Sequence, residues 1–568
     1  MKLSDAIAKL LIEYEVTHVF GYQGGSITHM IDSFDRYGIN YIQSYNEQGA
    51  SFAADSFSRI RCGELGVAIG TNGPGATNMI TGIADAFCDS VPTLFFTGQV
   101  HSYAMKGDKK VRQESFQEID ILSIVKPITK HAVAILDKDS ALDEIEKAIR
   151  IAKEGRPGPV VVDLPVDIQG QDVEYACKLK NKEIDYISNS NTLNTIDRVI
   201  DKLYSSQRPL IIAGGGIRTA NSVELFRQFV KMIKCPVVFS LMGLDSLEVD
   251  REEYIGFIGT YGNRYANLSV QGADLIICIG SRLDLRQTGK RRDLFAKNAV
   301  LAHIDIDSNE IGHIKSDEIG INIDIKTFLK YAIKRINHKG ELNIFEWKNK
   351  IACWKKNYPS GTEIEKCGGM NPNILVEKIA AEIPDNSVIT CDVGQNQMWM
   401  AQSLRVKGKN VRILNSGGLG AMGFSLPASI GAYYANKESS VIAFMGDGGF
   451  QMNIQELQVI SALKLPIVVV VFNNKSLGLI RDVHEKYYEE RYVGSVEGFS
   501  MPNLKKLADA YEFQYEKISS YEEVNNFKSI IYERRAYIIE VLLGNKTYVK
   551  PELLGNDGLE RQIPYKEV

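Results

Sequence analysis

The sequence predicts an α/β protein built from three doubly wound parallel-sheet domains. Three observations carry this expectation. The chain has 568 residues, 44% apolar and 24% charged, the mix of a globular protein long enough for three or four domains. Three separate stretches repeat one grammar, a short β-branched run, a glycine-rich turn and then a helical pattern, and that grammar means parallel βαβ units. Polar passages separate the stretches at about 170–190 and at 331–366, the second Lys-rich and reading as a surface linker. The expected domains are 1–170, 190–335 and 368–546, with a tail at 547–568.

Taken in order, the elements begin with a helix carrying Leu3, Ile7, Leu10, Leu11 and Tyr14 at helical spacing. Asp5, Glu13 and Glu15 interrupt it, so it is no signal-peptide core. In the first stretch GVAIG (66–70) leads into TNGPGATN (71–78), and TLFFT (93–97) and PVVVD (159–163) follow. The second opens with PLIIA (209–213) before Gly214, Gly215 and Gly216, and continues through PVVFS (236–240), LIICI (275–279) and LAHID (301–305). The third holds VITCD (388–392), VIAFM (441–445) and IVVVVF (467–472). From Thr547 the pattern is lost in a tail with Pro551, Pro564 and mixed charge.

Composition narrows the function classes. The net charge of −4, from 66 basic and 70 acidic residues, gives no basic surplus for nucleic acid. The longest clean apolar run, 465–472, is far too short to span a bilayer. The eight cysteines are scattered without CxxC spacing and read as reduced thiols of a cytoplasmic protein. The eight histidines fall singly, which argues against a His/Cys zinc site.

The sharpest chemical signal lies in the third stretch. GDGG (446–449) ends one strand, a helical pattern runs through Asn453, Leu457, Ile460 and Leu463, and strand 467–472 ends in Asn473 and Asn474. Asp447 and Asn474 are thus expected at the carboxyl ends of consecutive parallel strands, made neighbours by a right-handed crossover. One carboxylate and one amide oxygen are hard, oxygen-only ligands. Mg²⁺ takes few such protein ligands and fills its octahedron with phosphate oxygens and water. Gly448 and Gly449 let backbone N–H groups approach an anion. The combination points to a Mg²⁺–diphosphate site. A lone GDG would read as a glycine turn with a capping aspartate, and the NN pair at this spacing separates the two readings.

At this point the sequence resembles a family. GDG, an intervening helix and strand, and then NN look like the thiamine diphosphate motif of the acetohydroxyacid (acetolactate) synthase-like enzymes, large catalytic subunit type. GYQGG (21–25), NEQGA (46–50), TNGPGATN (71–78), ADAFCDSVP (84–92), FQE (116–118), PGPVVVDLP (157–165), VGQNQMWMAQ (393–402) and GGLGAMGFSLPA (417–428) match in order. So do LMGLDS (241–246), GTYGNRYAN (259–267), SRLDLRQTGK (281–290) and HIDIDSNEIG (303–312) of the middle stretch.

The resemblance implies a pyrimidine-binding first domain, a central FAD-type domain and a diphosphate-binding third domain, with thiamine diphosphate, Mg²⁺ and FAD as cofactors. Glu47 matches the glutamate that bonds the aminopyrimidine ring and favours the imino tautomer, which removes the thiazolium C2 proton. Gln117 and Phe116 match residues lining the reaction centre, and Gly25 matches a loop over the thiazolium. Met422 matches the residue propping the cofactor in its bent form, and Gly420 a backbone contact to the pyrimidine amino group. Gln395 and Asn396 match diphosphate contacts. Asp447, Asn474 and the Ser476 carbonyl match the metal ligands. FAD contacts would include Gly214, Gly215, Gly259, Arg282, Asp305 and Asp324. Arg286 matches an arginine gripping the acceptor's carboxylate, for which a forked guanidinium is suited.

Four positions depart from the biosynthetic synthases. Val483 stands where a tryptophan packs the acceptor's alkyl group, Val166 replaces a lysine, Asn46 replaces a histidine, and the tail does not match their active-site cover. The expected activity is decarboxylation of pyruvate and transfer of the two-carbon unit to a second carbonyl. The alternative is acetyl transfer to a keto sugar nucleotide, as in the yersiniose-pathway branch. Glu47 and Asp447 fall in different domains, and the family places each site between two chains. A homodimer or homotetramer is therefore expected, while a small regulatory subunit is neither implied nor excluded.

Overall fold

The computed structural model describes residues 1–175, 190–364, 367–408 and 410–566. It contains three six-stranded sheets, each wholly parallel and flanked by helices, as the sequence predicts. Most of the 170–190 passage, with Cys177, lies outside the described residues.

The first sheet comprises β1 (His18–Gly21), β2 (Asn40–Gln43), β3 (Gly66–Gly70), β4 (Thr93–Gln99), β5 (His131–Ala134) and β6 (Val160–Pro165), in the order β2-β1-β3-β4-β6-β5. The second comprises β7 (Pro209–Ala213), β8 (Val237–Phe239), β9 (Tyr254–Phe257), β10 (Leu275–Ile279), β11 (Val300–Asp305) and β12 (Ile319–Asn322), in the order β12-β11-β10-β7-β8-β9. Read from the other edge this is 3-2-1-4-5-6, the dinucleotide-binding order. The third comprises β13 (Ser387–Cys391), β14 (Val411–Asn415), β15 (Ser440–Gly446), β16 (Ile467–Asn473), β17 (Gln514–Ile518) and β18 (Tyr537–Leu542), in the order β14-β13-β15-β16-β18-β17. Counted within each sheet, the first and third share one order. The central strands β3, β4, β7, β10, β13 and β16 are buried along their whole length, which is why they read as unbroken apolar runs rather than alternating ones.

Helices hold the sheets together. The helix Leu3–Glu13 buries Leu3, Ile7, Leu10 and Leu11 on one face. The helices Glu47–Ile60 and Ser425–Ala435 pack so closely that a Cβ on Gly431 would lie 1.9 Å from the Ala53 carbonyl oxygen, so glycine alone fits there. Among the described residues no helix is long and apolar enough to cross a membrane.

Two expectations change. The Lys-rich passage 331–366 is not a surface linker. It completes the helix Ile325–Ile336 and forms the helix Phe345–Asn357, whose Trp347 and Ile351 enter the core of the second sheet. Trp347 Nε1 donates to the Pro209 carbonyl at 3.1 Å. The apolar positions 347, 351 and 354 recur every third or fourth residue, and the lysines between them cover the outer face. The tail is equally integrated. Thr547, Val549, Leu553 and Leu559 are buried, and β19 (Glu552–Leu553) pairs antiparallel with β20 (Gln562–Ile563). Arg264, ion-paired with Glu363, donates to the carbonyls of Gln562 and Pro564 and pins the hairpin to the second domain.

Candidate active site

In open parallel sheets ligands bind beyond the carboxyl strand ends, where the strand order reverses. The three reversal points fall between β1 and β3, β7 and β10, and β13 and β15. The sequence-predicted residues gather at these three places.

Asp447 follows β15 and opens the helix Asp447–Met452, while Asn474 and Ser476 follow the adjacent β16. The Gly448 N–H donates to Asp447 Oδ1 at 2.9 Å and the Ser476 N–H to Oδ2 at 3.2 Å. Asn474 Oδ1 accepts from the Ser476 N–H and Oγ, both at 3.2 Å. Burial pushes the Asp447 carboxyl up to about 7, and no Lys or Arg pairs with it among the described residues. A buried carboxylate and an amide oxygen with no cation between them is a donor set that suits Mg²⁺. No group of three or more His, Cys, Asp or Glu suited to a metal occurs among the described residues, so an ion held by this pair would draw its other ligands from backbone carbonyl, phosphate and water oxygens. Gly448 and Gly449 are fixed by packing as well. A Cβ at 448 would lie 2.4 Å from Leu477 Cδ2, and one at 449 would lie 2.5 Å from Asp392 Oδ1.

Asp392, at the end of β13, organises the opposite wall. Its carboxylate accepts from the Gly423 N–H at 3.0 Å and the Ser425 N–H at 2.9 Å, and so holds the turn bearing Gly420 and Met422. Gly420 has φ +72°, a conformation that favours glycine. Met422 reaches the Gly448 turn, its Cε 3.2 Å from where a Cβ would stand. Gln395 and Asn396 start the helix Gln395–Ser403 but face inward. Asn396 Nδ2 bonds the Asp392 carbonyl at 2.7 Å, and both ends of the Gln395 amide are engaged by Thr547.

A second cluster surrounds the turn 71–75 after β3. Asn46 caps the helix Glu47–Ile60, its side chain accepting from the Gln48 N–H at 2.8 Å, which accounts for an asparagine at this position. Glu47 is 5% exposed, and its Oε2 accepts from Asn78 Nδ2 at 2.9 Å. Gly75 lies against its carboxylate, and Gly73 against Gln117, whose carbonyl accepts from Asn72 Nδ2 at 3.1 Å. Gln117 has φ +63°, and its neighbour Phe116 is 84% exposed. The Gly25 loop joins this cluster through Ser26 Oγ, 2.8 Å from Thr71 Oγ1. No hydrogen bond among the described residues joins Glu47 to Asp447 or Asn474.

A cavity of about 380 Å³ opens at the β7/β10 reversal, lined by Gly215, Arg282, Arg286, Asp305 and Asp324 among others. Gly214 and Gly259 sit behind it, pressed on the backbones of Gly280 and Arg286. Asp324 is committed to capping, accepting from the Thr327 N–H at 2.9 Å. The Arg282 guanidinium has one distant ion pair among the described residues, 3.9 Å to Asp284, and remains available to an anion. A cavity of this size at a dinucleotide-type reversal fits part of a nucleotide cofactor. Arg286 lines the same cavity. The half-buried Tyr261 phenol feels the charges of Glu552, Asp482 and Arg286, which puts Arg286 and the helix of Val483 in one neighbourhood.

Comparison with known proteins places the chain among thiamine pyrophosphate enzymes. Residues 1–124 match the thiamine pyrophosphate enzyme N-terminal TPP binding domain, 196–331 the central domain and 392–541 the C-terminal TPP binding domain. The acetolactate synthase large subunit of Lactococcus lactis subsp. lactis (strain IL1403) is 37% identical over 550 residues, covering 96% of this chain and 93% of that protein. That of Buchnera aphidicola subsp. Acyrthosiphon pisum (strain APS) is 35% identical, covering 100% of this chain and 99% of that protein. The chain belongs to the acetolactate synthase-like family of thiamine diphosphate enzymes. A probable acetolactate synthase large subunit of Methanococcus aeolicus, 36% identical over 546 residues, extends the likeness to a further genus. These names do not favour the keto sugar nucleotide alternative.

Relative to this family frame, sequence reasoning missed two residues. Glu456 is fully buried, accepts from the Tyr45 N–H at 3.1 Å and abuts Gly49, so it locks the third domain onto the helix start that carries Glu47. Its spacing from Asp447 was visible, but an acid within a helical pattern gives no separate signal. Thr547 stands where the strand–turn–helix pattern ends, so the sequence marks it only as the start of the tail.

Proposed function

We propose that this chain is a thiamine diphosphate- and Mg²⁺-dependent carboligase that decarboxylates pyruvate and joins the two-carbon unit to a second carbonyl, with pyruvate itself as acceptor. The observation that carries the reading is the occurrence of a buried, oriented Glu47 at one sheet reversal and, at another, of the buried Asp447–Asn474 pair, which no Lys or Arg neutralises among the described residues. It stands in a chain matched almost end to end by acetolactate synthase large subunits.

Thiamine diphosphate, when bound, supplies a thiazolium carbon that adds to the keto acid and accepts the electron pair left by CO₂. The protein's residues do the rest. Asp447, Asn474 and the Ser476 carbonyl would hold Mg²⁺, and the side-chain-free turn Gly448–Gly449 would bring the first-turn backbone N–H of Gly449 to the diphosphate. Glu47, kept in place by Asn78, holds or gives a proton at the pyrimidine ring. Met422, which reaches the Gly448 turn, would support the cofactor from below. Gln117 and Phe116 would border the reacting carbonyl. Arg286 would pair with the acceptor's carboxylate beside Val483, and Gly215, Arg282 and Asp305 would hold FAD in the central cavity. The domain divisions 1–170, 190–335 and 368–546 belong to this proposal, as does a homodimer or homotetramer in which Glu47 of one chain meets Asp447 of another.

Purified chain with thiamine diphosphate, Mg²⁺, FAD and pyruvate should form acetolactate in step with CO₂. Acetaldehyde or oxygen uptake in place of acetolactate would overturn carboligation. Absence of CO₂ release would overturn the enzymatic reading itself.

A further inference from the structure

We propose that Thr547 is a positioning residue for the metal ligand Asn474, its hydroxyl deciding which end of the Asn474 amide faces the cation. This rests on the Mg²⁺–diphosphate reading above. The two ends of an asparagine amide are alike in size, but one accepts and the other donates. Turned the wrong way, the ligand would present N–H groups to a cation.

The network around Thr547 forbids that turn. It starts from an atom that can only accept, the Thr547 carbonyl oxygen, which receives Gln395 Nε2 at 2.9 Å and also the Arg481 guanidinium. Gln395 is thereby oriented with Oε1 inward. The Thr547 hydroxyl spends its one proton on that Oε1, at 2.9 Å. What remains toward Asn474 is a hydroxyl lone pair at 2.8 Å and the Gln395 Oε1 at 3.1 Å, two acceptors side by side. Only Asn474 Nδ2 can face them, so Oδ1 is forced toward Asp447 and Ser476. All four side chains are buried, so water does not supply an alternative partner.

The tail is fastened so that Thr547 stays in place. Trp399 Nε1 donates to the Tyr548 carbonyl at 2.8 Å, Lys486 and Lys550 both pair with Glu552, and the Leu553 N–H bonds the Thr260 carbonyl at 2.8 Å. The first residue of the tail thus belongs to the metal site rather than to a surface appendage.

The test is calorimetric titration of the purified chain with thiamine diphosphate at a series of Mg²⁺ concentrations. Thr547→Val keeps the carbonyl and the shape and removes the hydroxyl. It should raise the half-saturating Mg²⁺ concentration about tenfold, the scale seen when groups orienting a metal ligand are lost, with thiamine diphosphate affinity at saturating Mg²⁺ unchanged. Thr547→Ser should stay within about twofold of the wild type. An unshifted Mg²⁺ requirement in Thr547→Val would overturn the proposal, as would a tenfold rise in Thr547→Ser or an equal loss of cofactor affinity at saturating Mg²⁺. Should Thr547→Val fail to fold, Thr547→Ala, which adds no bulk, is read by the same criteria. A wild-type chain that binds thiamine diphosphate without regard to Mg²⁺ would instead overturn the metal reading, and Thr547's role with it.

Discussion

Glu47 occupies the first turn of its helix, hydrogen-bonded among the described residues to one side chain, Asn78, and its Oε1 lies 3.0 Å from where a Cβ on Gly75 would stand. Glu47→Gln preserves size and the bond to Asn78 but removes the exchangeable carboxyl proton. CO₂ release from pyruvate should fall about 10²- to 10⁴-fold, while calorimetric binding of thiamine diphosphate holds within a few-fold. Equal loss of both would reduce Glu47 to a structural acid. At this scale the sequence was informative where chemistry and spacing coincide. Asp447 and Asn474 flank one crossover, so both position and residue type were readable. Thr547 joins Asn474 from 73 residues away. No local pattern encodes that contact, because it is set by how the tail folds back along the third domain.

Among the elements, the helix Glu47–Ile60 is tied to the turn before Gly420 by a buried ionic cluster. Arg59 pairs with Asp55 at 2.7 Å and Asp89 at 3.1 Å and donates to the Asn415 carbonyl at 2.8 Å. Asp89 accepts the N–H groups of Gly417 and Gly418, and Asp85 accepts the Ser416 hydroxyl. Three carboxylates face one guanidinium. Burial, with the neighbouring carboxylates, lifts Asp85 well above its ordinary value of 3.8 and lifts Asp55 to about 6. For acids raised in this way the fold favours the protonated form. Their contribution is greatest below about 3.8 and is lost as pH rises through about 6 and beyond. Asp85→Asn removes one such charge, so its melting temperature relative to the wild type should climb from pH 5 to pH 8 in scanning calorimetry. A flat or falling difference would show the cluster to be fully ionised. The strands were legible because buried parallel strands are continuous β-branched runs. The helix expected after Gly449 breaks at Asn453, whose Nδ2 bonds the Gly423 carbonyl at 2.8 Å and Gln48 at 3.2 Å instead of joining the helix. The Lys-rich passage misled because its charge density hid a stripe made of two tryptophans and one isoleucine.

For the whole molecule, the proposed two-chain site makes a complementation test decisive. Glu47→Gln and Asp447→Ala chains, each inactive alone, should regain up to about a quarter of wild-type CO₂ release when unfolded and refolded together. Half the random dimers are mixed, and one of their two sites draws both intact residues. If Glu47 and Asp447 of the same chain formed the site, mixing would restore nothing. Exposed Phe116, Val483, Tyr487 and Val493 supply apolar surface for such an association.

The identical strand order of the first and third sheets places the same crevice twice in one polypeptide. On the proposed function, the copy between β1 and β3 would manage a proton. The other, between β13 and β15, would neutralise charge. Because neither crevice shares strands with the other, acidity at Glu47 and cation affinity at Asp447 can be adjusted separately. On the proposed function the chain divides catalysis into two modules of like geometry and unlike chemistry, and their meeting becomes a matter of assembly.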